Sequence, residues 1–157
     1  MKTPVSDLHQ RVLIIDDDES LRLLIAAVLG RDAYDIHHAT NGSEGIEQFA
    51  SVRPRLILMD ALMPKLDGFE ASAAIRALPD GGQVPILMMT GLDDPTAVAR
   101  GYACGVSDFI DKPFNRMILR QRVRRMMDAA LVSEQLHTAE QRLKELRCTA
   151  KPADSDH

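Results

Sequence analysis

Short apolar runs alternate with amphipathic segments between residues 11 and 114. Four of the five runs are apolar almost throughout, which is typical of parallel strands covered on both faces, whereas the second is mixed, as an edge strand can be. The pattern predicts an α/β fold with a five-stranded, open, doubly wound parallel sheet and right-handed crossovers. The runs are residues 12–15, 34–39, 56–59, 84–89 and 108–110.

The segments between these runs have helical periodicity. A second helix is predicted before Pro54, and weaker patterns over residues 69–78 and 95–104 predict a third and a fourth. The first helix has an apolar stripe that Gly30 can end. The stripe follows the i, i+3, i+4, i+7 and i+8 spacing and consists of Leu21, Leu24, Ile25, Val28 and Leu29.

After Phe114 the sequence predicts one long helix over residues 115–147, because this stretch contains neither Gly nor Pro. Its first half has apolar residues that can cover the sheet, namely Ile118, Leu119, Val123 and Met126. Its second half changes to the alternating 4- and 3-residue steps of a coiled-coil seam. The seam consists of Val132, Leu136, Ala139, Leu143 and Leu146.

These patterns divide the chain into four parts. We predict an N-terminal tail (1–10), a globular domain (11–130), a helical extension that continues the fifth helix (131–149) and a frayed C-terminal tail (150–157). The 157 residues are 45% hydrophobic and 27% charged, as expected of one soluble domain. No apolar run is long enough for a membrane span or a secretory signal, so we expect no membrane contact and a cytoplasmic location.

Reactive side chains follow the predicted strands at their carboxyl ends, where open parallel sheets bind ligands. Taken singly, each has an ordinary explanation. Acids after a strand commonly cap the next helix. A lone aspartate, threonine or lysine after a strand is ordinarily a loop or surface residue. Taken together, they converge on one edge of the sheet. The residues are Asp16, Asp17 and Asp18 after the first run, Asp60 after the third, Thr90 after the fourth and Lys112 after the fifth.

Clustered carboxylates require protons or a cation. Two carboxylates about 4 Å apart repel by roughly 4 kcal/mol at an effective dielectric constant of 20. Mg²⁺ suits such a site because it binds one or two carboxylates and completes its shell with waters and phosphate oxygens. Beside a metal, a hydroxyl and an ammonium group, Asp60 is placed as a nucleophile for phosphoryl transfer.

Four segments resemble the receiver domains of two-component response regulators. The resemblance covers about residues 10 to 130 and implies a flavodoxin-like sheet with strand order 2-1-3-4-5. It also implies a partner, a sensor histidine kinase or a phosphotransfer protein, that supplies the phosphoryl group. The segments are VLIIDDDES at 12–20, LILMDALMPKLDGFE at 56–70, MMTG at 88–91 and SDFIDKPF at 107–114.

The resemblance implies a role for each residue at the sheet edge. Asp60 is then the phosphoacceptor, and Asp16 and Asp17 hold Mg²⁺ together with Asp60 and the backbone carbonyl of Leu62. Lys112 matches the lysine that contacts the phosphoryl group. We therefore expect a domain that is not an enzyme for other substrates and that catalyses only its own phosphorylation and slow dephosphorylation.

The resemblance also implies a switch. Thr90 matches the hydroxyl that contacts the phosphoryl group and moves toward it, and Phe109 matches the aromatic residue that then swings inward. The bond before Pro113 is expected to be cis, a geometry that proline permits. These movements would change the face made by the fourth helix, fifth strand and fifth helix.

Three positions depart from the family pattern or vary within it. Arg55 stands where such sequences commonly have an acid, although it is too far upstream to reach the acidic site. Leu62 and Leu92 occupy the positions that help place the hydrolytic water in this family. Both are apolar, which is the reason for expecting slow dephosphorylation.

Other functions are weaker alternatives. Haloacid-dehalogenase-type phosphatases also use an aspartate after a strand, but they need an acid two residues later, where this chain has Leu62. Arginines on the fifth helix suggest nucleic acid, yet a solvated helix face explains them, and the segment after Phe114 is shorter than a minimal domain of about 50 residues. We expect no direct DNA binding. The arginines are Arg116, Arg120, Arg122, Arg124 and Arg125.

The predicted seam leaves two possibilities for the helical extension. We expect a homodimer formed through this helix, through the face of the fourth helix, fifth strand and fifth helix, or through both. The other possibility is an amphipathic tail that packs on its own domain. Separately, the chain resembles the front portion of multidomain regulators, for example those with a cyclic-di-GMP output domain, and equally resembles single-domain regulators.

Overall fold

The computed structural model describes residues 10–91 and 95–149. Within them, five parallel strands form one sheet in the order β2-β1-β3-β4-β5, which confirms the predicted flavodoxin-like fold. The strands are β1 (Arg11–Ile15), β2 (Asp35–Ala39), β3 (Leu56–Asp60), β4 (Ile86–Thr90) and β5 (Asp108–Asp111). The α-helices are α1 (Glu19–Leu29), α2 (Gly42–Val52), α3 (Gly68–Ala77), α4 (Pro95–Ala103) and α5 (Arg116–Thr149).

The sheet separates two hydrophobic layers, because successive residues of a strand face opposite sides. On one side, Leu13 and Ile57 pack with residues of α2 and α3 such as Phe49 and Ile75. On the other side, residues of β1, β3 and β4 pack with α1 and α5. The central strands are buried on both faces, so the polar residues at their carboxyl ends are held on a rigid base.

The two edge strands differ from the central ones. Among the described strands, β2 pairs with β1 alone, as its mixed sequence indicates. β5 is the other edge, and of its four residues Ile110 alone is buried. Phe109 nevertheless packs against one hydrophobic layer and Ile110 is buried in the other, so the fifth run is covered on both faces, although Phe109 is only half-buried.

The long helix α5 is continuous, and its two ends have different surroundings. In the packed part (116–127), Leu119, Val123 and Met127 are buried against the sheet at intervals of four residues. Ile118 is 47% exposed, so its predicted core position is wrong. A neighbour in sequence points about 100° away on a helix. Every residue of the helical extension (131–149) is exposed.

Most of both predicted tails lies outside the described residues. Among the helices of the described part of the chain, none combines the length and the apolar character that a bilayer crossing requires.

Candidate functional site

Three carboxylates converge where β1 and β3 end. Asp16 follows β1 and is fully buried, Asp60 is the last residue of β3 and is 5% exposed, and Asp17 is exposed. A carboxylate oxygen from each residue lies within 4.8 Å of the others. The strands are direct neighbours in parallel register, so their carboxyl ends lie side by side. The structure thus brings together the three acids that the sequence singled out.

Lys112 joins two of these acids. Its Nζ atom lies 2.9 Å from Oδ1 of Asp60 and 3.3 Å from Oδ2 of Asp16. Its backbone N–H donates to the carbonyl of Thr90 at 2.8 Å, which holds the segment after β5 beside the end of β4. The bond between Lys112 and Pro113 is cis.

The electrostatics of the site reflect an excess of negative charge. Burial raises the pKa of Asp60 to about 6; the hydrogen bond from Lys112 opposes this shift, and the carboxylate of Asp16 adds to it. Burial by itself lowers the pKa of Lys112, but its hydrogen bond to Asp60 and the charges of both carboxylates raise it above its ordinary value. One ammonium group does not balance three carboxylates, so an additional cation fits here.

Asp18 explains why a run of three acids follows β1. Its side chain caps α1 by accepting from the backbone N–H of Leu21 at 3.3 Å. Its own N–H donates to Oδ1 of Asp16 at 2.9 Å. The ordinary capping explanation is therefore right for Asp18, whereas Asp16 and Asp17 belong to the acidic cluster.

Arg22 is a contact of this site that the sequence analysis missed. The residue is 9% exposed, and its guanidinium donates to the backbone carbonyl of Asp16 at 2.6 Å. Its position was readable in principle, because Arg22, Ile25 and Leu29 follow the spacing of one helix face and are the three buried residues of α1. Because Arg22 is charged, it falls outside any stripe that is defined by apolar residues.

The turn after β3 brings α3 close to Asp60. The backbone N–H of Gly68 donates to the carbonyl of Ala61 at 3.0 Å. A Cβ atom at position 68 would lie 2.1 Å from the backbone oxygen of Asp60, so only glycine permits this approach. Leu62 is 60% exposed, and its backbone forms a hydrogen bond to Asp60 that lowers the pKa of that carboxyl.

The predicted switch residues lie on the neighbouring strands. Thr90 ends β4 beside the end of β3 and is 4% exposed. Phe109 on β5 is half-buried, and its ring packs edge-on against Tyr102 of α4 with centroids 5.1 Å apart. The ring lies over Gly101, where a Cβ atom would come within 2.2 Å of Cζ of Phe109. Leu92 lies outside the described residues.

The donor set suits a hard divalent cation. Carboxylate oxygens are the ligands that Mg²⁺ prefers, and the exposed Asp17 leaves the cluster open to solvent and to a phosphate oxygen. Asp16, Asp17 and Asp60 can therefore hold such an ion, while Lys112 can contact an anion bound beside it. This arrangement can bind and transfer a phosphoryl group.

Comparison with known proteins gives consistent matches. The family model described as the response regulator receiver domain matches residues 12–124. The DNA-binding response regulator MtrA of Mycolicibacterium smegmatis is 35% identical over 117 residues, which are 74% of this chain and 50% of MtrA. The chemotaxis protein CheY4 of Vibrio cholerae superposes with a TM-score of 0.72 at 30% identity, covering 75% of this chain and 98% of CheY4.

A further solved structure extends over more of the chain. It is the signal receiver domain of a signal transduction histidine kinase from Syntrophus aciditrophicus, with a TM-score of 0.71 and 27% identity over 94% of this chain and 97% of that one. The chain spans about half the length of the curated relatives it matches. Because MtrA is named as DNA-binding, these relatives give no support to the expectation of no direct DNA binding.

Proposed function

Because the chain belongs to the response regulator receiver family, we propose that Asp60 accepts a phosphoryl group from the phosphohistidine of a sensor histidine kinase or a phosphotransfer protein. The observation that carries the proposal is the position of its carboxylate, within 4.8 Å of the oxygens of Asp16 and Asp17 and 2.9 Å from Nζ of Lys112. An oxygen of Asp60 attacks phosphorus, the P–N bond breaks, and its electron pair stays on the histidine nitrogen.

Each neighbouring residue has a defined task. Asp16 and Asp17 hold Mg²⁺, which when bound neutralises charge on the phosphoryl oxygens. Lys112 keeps Asp60 ionised through the hydrogen bond that lowers the pKa of this carboxyl, and it contacts a phosphoryl oxygen during transfer. The backbone carbonyl of Leu62 is a further proposed metal ligand.

Phosphorylation acts on the rest of the protein through Thr90 and Phe109. The Thr90 hydroxyl moves toward the phosphoryl group, and the ring of Phe109 turns into the space this movement opens. Because that ring now lies against Tyr102 and Gly101 of α4, its departure changes the face formed by α4, β5 and α5. A charge change at Asp60 thereby becomes a change of binding surface.

The protein transfers the group to itself and has no turnover on other substrates. Leu62, two residues beyond Asp60, offers no acid or base for hydrolysis, so dephosphorylation is slow. The same residue argues against a phosphatase of the haloacid-dehalogenase type, as does the family to which the chain belongs. The cytoplasm, where response regulators typically act, is the proposed location.

Transfer of label from acetyl phosphate tests the role of Asp60. We expect labelling of the wild-type chain that requires Mg²⁺ and is abolished by chelation and by Asp60→Asn. Asp18→Asn is the matched control, because asparagine caps a helix as well as aspartate does, and we expect it to accept label. Labelling of Asp60→Asn at the wild-type rate would show that another residue is the acceptor.

The helical extension supports a second part of the proposal, a parallel homodimer. Four seam residues are more than half exposed, namely Val132, Leu136, Leu143 and Leu146. An apolar stripe of this kind on a helix beyond the packed body suits a second copy of the same stripe. The seam spans about two and a half heptads, which is marginal alone. The exposed α4, β5 and α5 face, including Tyr102, therefore has to contribute.

The charges beside the seam make the dimer weak. Arg142 precedes Leu143 and Arg147 follows Leu146, the positions that face each other across a parallel pair. Arg142 of one chain would then lie opposite the partner's Arg147. Like charges repel, so we expect added salt to strengthen the dimer, the reverse of a dimer held by ion pairs.

Direct DNA binding is not part of the proposal for the described residues. Two arginines of the packed part of α5 have partners within the chain: Arg120 binds both carboxylate oxygens of Asp32 at 2.7 and 2.8 Å, and Arg122 lies 3.6 Å from Asp108. We expect no shift of random duplex DNA in a gel at physiological salt. The alternative of an output domain beyond the helical extension stays a prediction.

A further inference from the structure

Arg55 connects the edge of the sheet where the strands begin to the helical extension. It directly precedes β3, at the opposite end of that strand from Asp60. Its side chain is 12% exposed, and its backbone N–H donates to the carbonyl of Arg11 at 2.8 Å. The guanidinium donates to a carboxylate oxygen of Glu134 on α5 at 2.5 Å. A largely shielded cation at the start of β3 is thus paired with an exposed carboxylate of the helical extension.

This contact stands apart in the helical extension. Within the described residues, Glu134 is the one member of residues 131–149 whose side chain has a recorded hydrogen bond or ion pair to the body. Around it, a cavity of about 740 Å³ separates helix and body, with Pro85 on one side and Ser133 and His137 on the other. The helical extension therefore meets the body through a charge pair beside an open groove.

We infer that the pair of Arg55 and Glu134 fixes the direction in which the helical extension leaves the receiver, and with it the direction of the seam. The last apolar anchor of α5 is Met127, which is 5% exposed. A helix fixed only up to that point can bend or fray beyond it. Glu134 supplies a second fixed point about two turns further on.

The low exposure of the Arg55 side chain gives this pair more weight than a pair exposed at both ends has, although the side chain of Glu134 is 56% exposed. Exposed pairs contribute little because water screens both charges and both side chains lose freedom. Here the guanidinium is largely shielded from solvent, so its Coulomb attraction to Glu134 is less weakened by water. Its base is also rigid, because Arg55 leads directly into the buried strand β3. The pair of Arg55 and Glu134 therefore links the central strand β3 to the helical extension that carries the seam.

Distances between paired spin labels can test this inference on the full chain. Labels at Glu47→Cys on α2 and Lys144→Cys on α5, with both native cysteines replaced by serine and excess unlabelled chain added, report one intramolecular distance. We expect Glu134→Gln to broaden the distance distribution about twofold, because the second fixed point is lost. Glu140→Gln is the matched control, an exposed glutamate of the same helix, and we expect it to leave the distribution unchanged.

Salt provides an independent arm of the experiment. At about 1 M salt, where the screening length is about 3 Å, the wild-type distribution should broaden toward that of Glu134→Gln, whereas Glu134→Gln itself should not change. The inference is overturned if Glu134→Gln is no broader than Glu140→Gln, or if salt broadens both chains equally. Because the unphosphorylated, spin-diluted chain is measured, such a failure leaves the proposed role of Asp60 untouched.

Discussion

The two parts of α5 belong to one unbroken helix but are stabilised differently. The packed part buries Leu119, Val123 and Met127 against the sheet, whereas every residue of the helical extension is exposed. Local propensity favours helix in both parts, since neither contains Gly or Pro. Only the packed part gains tertiary burial. The contrast teaches that tertiary burial does not account for the apolar stripe of the extension, which supports the proposed contact with a second copy of the chain.

Truncation of apolar residues should separate the two parts most clearly. We expect Leu119→Ala to lower the free energy of unfolding by about 2–5 kcal/mol, because it leaves a cavity in a fully buried position. Leu143→Ala, at a site 56% exposed, should change it by less than about 0.5 kcal/mol in dilute monomer. Urea denaturation measures both. Equal losses of unfolding free energy for the two substitutions would mean that the helical extension packs on the globular domain.

A charge change at Asp60 should alter the stability of the body alone. The pKa of Asp60 is raised from 3.8 to about 6, so the folded state binds its proton more tightly than the unfolded chain does. Ionised Asp60 therefore destabilises the metal-free fold above about pH 6, and this cost disappears as the pH falls toward 3.8. We expect Asp60→Asn to stabilise the metal-free protein at neutral pH by on the order of 2 kcal/mol.

Thermal unfolding at several pH values in a chelator measures this gain. The stabilisation by Asp60→Asn should decrease as the pH is lowered. It should also decrease when Mg²⁺ replaces the chelator, because the cation offsets the negative charge of Asp60. Asp18→Asn, beside the cluster, should give no comparable gain. A stabilisation by Asp60→Asn that is the same at pH 4 and at neutral pH would contradict the assigned cause.

A smaller effect is expected where the proposed switch meets α4. Gly101→Ala places a Cβ atom against the ring of Phe109, so the ring or the helix must shift. Overpacking costs about 1–3 kcal/mol, and the better helix propensity of alanine returns up to about 1 kcal/mol. We expect a net loss of about 1 kcal/mol by urea denaturation.

Gly30→Ala is the control for this substitution, because nothing lies within 4 Å of a Cβ atom there. It should be neutral or slightly stabilising. If Gly101→Ala stabilises the protein as a surface substitution would, the ring of Phe109 is not confined by α4.

The smallest expected effect concerns the seam. Arg147→Glu replaces a repulsion across the parallel dimer by an attraction to Arg142, which is worth a few tenths of a kcal/mol per pair. A parallel dimer has two such pairs, so the substitution should lower the dimer dissociation constant a few-fold, as measured by sedimentation equilibrium at low salt. Lys144→Glu makes the same charge change away from the seam and is the control. A dimer weakened by Arg147→Glu would contradict the parallel register.

Much of the fold was predictable because its signals are local. Apolar runs and helical spacing predict every strand and α-helix of the described residues, although not the short 3-10 helix at Gly30–Asp32. The rule that ligands bind at strand carboxyl ends points to Asp16, Asp60 and Lys112. The phase of a helix is harder to predict. Ile118, predicted to cover the sheet, is 47% exposed, whereas Met127, which was not predicted, is buried. A one-residue error in phase turns a side chain by about 100°.

The features that escaped prediction depend on tertiary contacts between polar residues. Arg22 is buried because its guanidinium reaches the carbonyl of Asp16, and an apolar count along the helix does not register that. The sequence marks Arg55 only as a departure from the family pattern that is too distant to affect the acidic site. Its partner Glu134 lies 79 residues away, a separation at which spacing carries no information.

Sedimentation velocity with and without beryllofluoride, a phosphoryl mimic, tests the central claim that the site at Asp60 controls the exposed surfaces of this chain. At tens of micromolar protein with Mg²⁺, we expect the mimic to shift the wild-type chain from monomer toward dimer and to leave Asp60→Asn unchanged. A wild-type chain that stays monomeric in both conditions, or an equal shift in Asp60→Asn, would contradict the account.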